Sequence, residues 1–433
     1  MRTIFLTSAL LVSSALLAAC AGNHALPSAT SFMSPSIVQA PDGLTDKILQ
    51  AFKGGTDGQF PFGGLLADSG NLYGTTNSGG STDSFCSRFN GCGIVFELSR
   101  AGNGYTEKIL RTFTGPPDGA APGFENLISD SSGALYGTTA SGGAGGCYSG
   151  EGCGAIFKLT RSGTTYAEHI IYSFKGGDDG THPSAGLLSD SRGDLFGTTS
   201  SGGIGNGGTV YELKRAGKSY SEAVLYSFQY NGVTGSTPGC SLIMDPSGAL
   251  YGTTSGGGAH AFGSVFKLIP SHDKYVERVL YSFGSKAHDG KSPQAALVFD
   301  SNGSLYTTTL TGGASNEGAI IKLSRSGRSY TETVLYSFRG APDGALPNAP
   351  LVLRRGVLYG TTSGGGVRQQ GTVFKVSLTG SEKVLYRFAG GSDGSGPLGS
   401  VLFNSDGRIF GETVNGGGSG CLGHGCGVAF ELQ

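Results

Sequence analysis

Residues 250–258 read LYGTTSGGG, and the same nine letters return at 358–366. Looser copies start at Leu72, Leu135, Leu195, Leu305 and Ile409, so the seven starts stand 63, 60, 55, 55, 53 and 51 residues apart. A period of this size belongs to propellers and similar arrays. A catalytic nucleophile is needed once, whereas packing needs the same piece at every seam. The phrase therefore reads as wall rather than site. Thr307 in the Gly place of the fifth copy and Glu412 in a Thr place of the seventh agree with this, because a wall tolerates such slips.

Each unit carries four strand-like runs. In the fourth they are residues 241–244 (SLIM), 249–254 (ALYGTT), 263–268 (GSVFKL) and 275–283 (YVERVLYSF). In the last run Tyr275, Glu277, Val279, Tyr281 and Phe283 share one face and Val276, Arg278, Leu280 and Ser282 the other, the period-2 alternation of a strand. Between the first two runs stands Asp245-Pro246-Ser247-Gly248, echoed at Asp68, Asp190 and Asp300, where Asp bonds the backbone ahead and Gly accepts positive φ. A four-stranded sheet cannot bury both faces alone, so the units must stack, and radial stacking gives a propeller. The repeat region opens on a fourth-type strand, 44–52 (LTDKILQAF), and ends on a third-type strand, 427–432 (GVAFEL). The expected fold is all-β: a seven-bladed β-propeller of four-stranded antiparallel blades over 44–433, closed by pairing of its first strand with its last, which leaves no open sheet edge between blades.

Composition agrees. Glycine is 79 of 433 residues and charged residues only 14 %, yet 37 % are hydrophobic, with 18 Tyr and 24 Phe, enough for a large core built from short strands and tight turns. Net charge is −1 and no Lys/Arg cluster occurs, so nothing would neutralise a row of phosphates and nucleic acid is excluded as a partner. Residues 1–19 read as a signal peptide, with Arg2 ahead of an apolar run and Leu17-Ala18-Ala19-Cys20 at its end. That LAAC resembles a bacterial lipobox, which implies cleavage before Cys20, acylation of its thiol and anchoring to a membrane. Ala21 and Gly22 stand where an inner-membrane retention signal would place Asp, so the expected address is the outer membrane or cell surface. Residues 20–43, rich in Ser, Ala and Pro, read as a flexible tether.

The recurring phrases LYGTT-x-x-GG, G-x-V-F-x-L and Y-x-E-x-V-L-Y-S-F, in fixed order over 44–433, resemble the GloVer-type tandem repeat of Gloeobacter and Verrucomicrobia. The resemblance implies an exported, anchored repeat protein and no particular reaction. The Asp-x-x-Gly-x-Leu-Tyr hairpins are also similar to those of NHL and gluconolactonase-like propellers. The expected function is non-catalytic: a monomeric binding or scaffolding module for a protein or glycan. The alternative is a secreted lyase or hydrolase with a site at the channel mouth, assisted by Ca²⁺.

Three sets of residues carry chemistry. The loops between blades contain Asp-Gly-x-x-Pro with Asp57, Asp118, Asp179, Asp289, Asp343 and Asp393, whereas unit four has Thr234. These carboxylates offer a ring of oxygen ligands for a hard cation at the channel mouth, or simply Asp-Gly turns fixed by the following Pro. Six of the eight cysteines form local pairs, Cys86/Cys92, Cys147/Cys153 and Cys421/Cys426, each between the GG loop and the third strand. In an exported chain these read as disulfides; His424 makes the third pair a possible metal set, but the other two lack a histidine, and no metal is expected. Cys240 reads as a buried thiol. The second-to-third-strand loops vary most, and Arg88, Phe89, Tyr148, His260, Arg368 and His424 are the residues there fitted to touch a ligand. Residues 203–208 match GxGxxG, but no helix follows to supply a phosphate-binding N-terminus.

Overall fold

In the computed structural model, the described residues are 44–433 apart from 148–149, 231, 273 and 328. The expected signal peptide, Cys20, the 20–43 tether and Tyr148 lie outside them. The chain folds into seven blades of four strands, which in the first six run in chain order from the axis outward. Blade 4 is typical: Ile243–Met244 innermost, then Leu250–Thr254, Ser264–Ser271 and Lys274–Ser282. The innermost strand pairs over two residues where the sequence suggested four, because the interblade loop competes for the same edge: Gly235–Ser236 pairs with Gly256–Gly257 just beyond the LYGTT strand. Blade 2 takes this furthest, its loop strand Gly119–Pro122 joining Leu135–Gly142.

The ring closes as the termini predict. Asp46–Ala51 is the outer strand of blade 7, antiparallel to Val428–Leu432, with register from Asp46↔Leu432 to Ala51↔Val428. Thr45 and Gln433 exchange both backbone bonds, at 3.0 and 3.1 Å. The chain thus enters the ring on the face of the tight hairpins, opposite the face that carries the interblade and disulfide loops.

The repeated phrase is the interior wall. Leu250–Thr254 is buried at every position. A Cβ on Gly252 would meet Phe266 Cζ at 2.6 Å, so the glycine makes room for the ring of its own blade's third strand. In blade 5 that ring is replaced by Ile321, which pairs directly opposite Thr307. The side chain gained at one position matches the ring lost at the other. The first threonine latches blades together: Thr253 Oγ1 donates to Ala295 O at 3.1 Å and Thr361 Oγ1 to Gly399 O at 3.1 Å, each on the next blade. The tyrosine is held by the hairpin aspartate, as in Tyr251 Oη to Asp245 Oδ2 at 2.9 Å. Between blades, the Phe of Y-S-F meets the third-strand ring of its neighbour edge-on, for example Phe228–Phe266 and Phe338–Phe374, both at 5.0 Å. Such pairs contribute about 0.5–1.5 kcal/mol beyond area burial, and they recur around the ring.

Candidate functional site

Three disulfides form as the spacing suggested: Cys86–Cys92, Cys147–Cys153 and Cys421–Cys426. With Cys421 and Cys426 joined, His424 has no thiolate beside it to share a metal, and no group of three metal-ligating side chains occurs among the described residues. Cys240 is buried and outside the disulfides. Arg88, His260, Arg368 and His424 are exposed on second-to-third-strand loops, and Phe89 is half-buried against Phe85 at 5.5 Å. They belong to blades 1, 4, 6 and 7, so the ring spreads them around its face and gathers no cluster.

The six interblade aspartates sit at the outer seams, not around the channel mouth. Each reaches back four residues to cap its own turn: Asp57 accepts Lys53 N at 2.8 Å, Asp118 accepts Thr114 N at 2.9 Å and Asp179 accepts Lys175 N at 2.6 Å. Asp289, Asp343 and Asp393 accept Ser285 N, Arg339 N and Ala389 N in the same way, at 3.0, 3.1 and 2.5 Å. Most also take the hydroxyl of the Y-S-F tyrosine, as Tyr172 Oη to Asp179 at 2.7 Å and Tyr336 Oη to Asp343 at 2.8 Å. The bond holds them against the outer strand, away from the axis.

There they meet a second set of acids that motif reading did not single out. Glu107, Glu168, Glu222, Glu332 and Glu382, the third residue of each outer-strand phrase, and Asp46 in blade 7 pack at the same seams, and each leaves one buried carboxylate oxygen without a partner. Burial first, and then the facing aspartate, push Glu107 up to about 8 and Glu168, Glu222, Glu382 and Asp46 up to about 7. Glu277, opposite Thr234, reaches about 7 by burial alone. Two like charges in half-buried contact cannot both ionise cheaply, so a proton stays. Two seams supply a cation instead. Arg111 bridges Asp118 and Glu168 at 2.6 and 2.7 Å, and Lys286 pairs with Glu332 at 2.9 Å. The signal available in sequence was the recurrent Glu on the apolar face of the strand.

The axis is obstructed by one extra residue. Blade 2 spaces Pro122 and Leu127 five apart where blades 1 and 3 space Pro61/Leu65 and Pro183/Leu187 four apart. The surplus bulges inward. Phe124 packs edge-on against Phe62 at 5.1 Å. Glu125, half-buried, accepts Ser241 N from blade 4 at 3.0 Å, and burial raises its pKa against the pull of the bonds it accepts. Asn126 donates to Leu65 O at 3.0 Å and accepts Ser400 Oγ at 3.2 Å. One segment thus ties blade 2 to blades 1, 4 and 7. Nearby, Glu412 replaces a latch threonine; it accepts Gly64 N at 3.0 Å, its other oxygen has no partner, and burial pushes it up to about 8.

An open groove of about 610 Å³ lies at the rim between blades 2 and 3. Its walls carry Tyr172, Lys175, Asp178, Asp179, Glu222 and Tyr226, with Ile204 at its lip, 78 % exposed. A smaller hollow of about 410 Å³ adjoins it across Asp178 and runs to Asn206. The second-to-third-strand loop of blade 3 is as long as those of blades 4, 5 and 6, but its outer hairpin extends further, as Asn206–Ala216 and Ser219–Gln229. The groove follows from that overhang.

Comparison with solved structures finds the same architecture at low identity. The extracellular domain of BT4673 from B. thetaiotaomicron matches over 89 % of this chain and 42 % of its own, at 12 % identity and a TM-score of 0.50. The PQQ-bound aldose sugar dehydrogenase from Streptomyces coelicolor matches over 91 % and 99 %, at 11 % identity and a TM-score of 0.42. The Trypanosoma rangeli sialidase matches over 90 % and 59 %, at 11 % identity and a TM-score of 0.42. These likenesses are of fold alone. No curated protein matches the chain in sequence. The profile of the Gloeobacter/Verrucomicrobia repeat matches at residues 85–299, 145–356 and 276–433, and with the fixed order of LYGTT and Y-S-F phrases around a closed ring, the chain belongs to that repeat family.

Proposed function

We propose that the protein is a non-catalytic binding module of the bacterial cell exterior, held to a membrane through acylated Cys20, and that it takes its ligand on the loop face at the rim of blade 3. One observation carries the reading. The polar groups that recur in every unit are engaged in building the ring, as turn caps, blade latches and seam acids, while the blade-2 bulge fills the axis. The groove between blades 2 and 3 is what the loop face adds to that frame. The three disulfides support an exported address, because such bonds persist in oxidising compartments.

The test is a screen of glycans and peptides against the full-length protein and two variants. Ile204→Asp places a charge at the groove lip and is expected to weaken a genuine ligand by roughly tenfold. Arg368→Ala on blade 6 is expected to leave it unchanged. A ligand that is indifferent to Ile204→Asp, or that is chemically converted by the protein, defeats the proposal. Mass spectrometry of the mature N-terminus, with Cys20→Ala as control, tests the anchor: diacylglyceryl on Cys20 supports it and a cleaved, unmodified N-terminus removes it.

A further inference from the structure

The ring contains its own example of what the blade 2–3 groove lacks. At the preceding seam the loop aspartate and outer-strand glutamate, Asp118 and Glu168, hold the guanidinium of Arg111 between them at 2.6 and 2.7 Å. At the next seam the corresponding acids are Asp179 and Glu222, and Tyr172 occupies the position of Arg111. Tyr172 Oη donates to Asp179 at 2.7 Å and stands 3.5 Å from Glu222 Oε2, while Glu222 Oε1 has no partner. Asp178 adds a third carboxylate to the groove wall, against Lys175 as the lining cation.

The strand beside this groove is also suited to receive another. Outer propeller strands present unpaired backbone N–H and C=O groups, the template for strand addition. In blade 3 that strand is Ser219–Gln229, 11 residues, against nine in Lys274–Ser282 and six in Glu382–Arg387. Exposed apolar side chains concentrate around its upper end: Ile204 at 78 %, Val233 at 68 %, Tyr230 at 67 % and Val224 at 36 % exposure. An extended chain laid along this edge points alternate side chains into the groove.

We propose that the rim of blade 3 takes an extended polypeptide segment that adds as a fifth strand along Ser219–Gln229 and seats one arginine between Asp179 and Glu222, as Arg111 is seated one blade earlier. The inference rests on the binding-module reading and specifies its ligand. A guanidinium can serve both carboxylates at once, as Arg111 does through Nη2, whereas at the blade 4–5 seam the Lys286 ammonium pairs with Glu332. Apolar residues flanking the arginine cover Ile204 and Val224.

The test uses the full-length protein and a labelled ten-residue peptide of alternating Val and Thr with one central Arg, read by fluorescence anisotropy. Two companion peptides carry citrulline in place of Arg, or N-methyl groups on the strand-pairing amides. The arginine peptide is expected to bind, citrulline to weaken it by roughly tenfold or more, and N-methylation to abolish it. Glu222→Gln is expected to weaken the arginine peptide similarly while leaving the citrulline peptide unaffected; its thermal midpoint confirms that the variant is folded. Binding that ignores citrulline or Glu222→Gln overturns the arginine seat, and binding that survives N-methylation overturns strand addition. If the peptides fail while glycans bind in an Ile204-dependent way, this inference falls and the binding-module reading stands. Silence from both classes of ligand sinks both.

Discussion

Gly252 and Phe266 illustrate how a repeat is specified one contact at a time. The ring lies 2.6 Å from where a Cβ would be, and Gly360 stands 2.7 Å from Phe374 in the same relation. Gly252→Ala therefore overpacks a buried seam and is expected to cost about 1–3 kcal/mol, read as a lowered midpoint in denaturant. Blade 5 supplies the remedy, since Thr307 coexists with Ile321. The double variant Gly252→Thr/Phe266→Ile is expected to recover most of what Gly252→Thr alone loses, a coupling that a double-mutant cycle measures directly. A second residue-scale strain recurs before six of the seven loop prolines, where Phe60, Ala121, His182, Thr237, Ser292 and Leu346 hold φ between 52 and 59°, and Gly396 takes the seventh place. Thr237 is β-branched and the least suited to this left-handed conformation. Thr237→Gly is expected to raise stability by up to about 1 kcal/mol, the relief of backbone strain outweighing the added freedom of the unfolded chain. The role of the phrase glycine was legible in the sequence. That Thr307 and Ile321 compensate was not, because only the strand register brings them opposite each other.

The outer-strand seams set the response to pH. Glu107, Glu168, Glu222, Glu277, Glu382 and Asp46 have folded pKa values of about 7–8, above their ordinary ones. A raised carboxyl pKa means the folded state binds more protons than the unfolded chain, so this stability is fully present below about pH 4 and is lost progressively as pH rises from there to about 7–8. The hairpin aspartates oppose it at the other end. Asp245 and Asp300 are half-buried, which alone would raise them, but the hydrogen bonds they accept hold them below the carboxylate range. Their contribution is lost as pH falls below about 4. Calorimetry across pH is therefore expected to show a maximum near pH 5 and a decline toward pH 8.5. Glu277→Gln is expected to flatten the alkaline limb by removing one protonation event. The seams were half legible. The glutamate on the Tyr/Val face of each outer strand was visible, but its partner sits on a loop some 50 residues earlier. The groove escaped altogether, because it arises from the unequal lengths of neighbouring hairpins.

At the scale of the whole ring, the first strand substitutes for a covalent seam, and the backbone bonds between Thr45 and Gln433 bring the ends within peptide-linking reach. A permutant that joins 433 to 44 through a short Gly-rich linker, long enough for a hairpin turn between the paired Gln433 and Thr45, and opens between Gly102 and Asn103 keeps all seven blades and moves the closure to blade 1. It is expected to fold with a thermal midpoint within a few degrees of the parent. Removing residues 44–52 instead uncovers Val428–Leu432 along its length, and soluble aggregates are expected in size-exclusion chromatography. Blade number and closure could be read from spacing alone because every unit repeats the same strand order. The filled axis could not. Its cause, one surplus residue between Pro122 and Leu127, was visible, but Glu125 and Asn126 find partners 116 and 274 residues further on, at Ser241 and Ser400.

The sealing strand also has a history in time. Ribosomes deliver roughly 5–20 residues per second, so Asp46–Ala51 waits on the order of 20–80 s before Val428–Leu432 exists to receive it. Until residues 428–432 are made, blade 7 lacks its third strand, and its outermost strand has nothing to pair with. Circle and closure are therefore separated in time: the strand that seals the ring is among the first parts of it to be made and among the last to be paired.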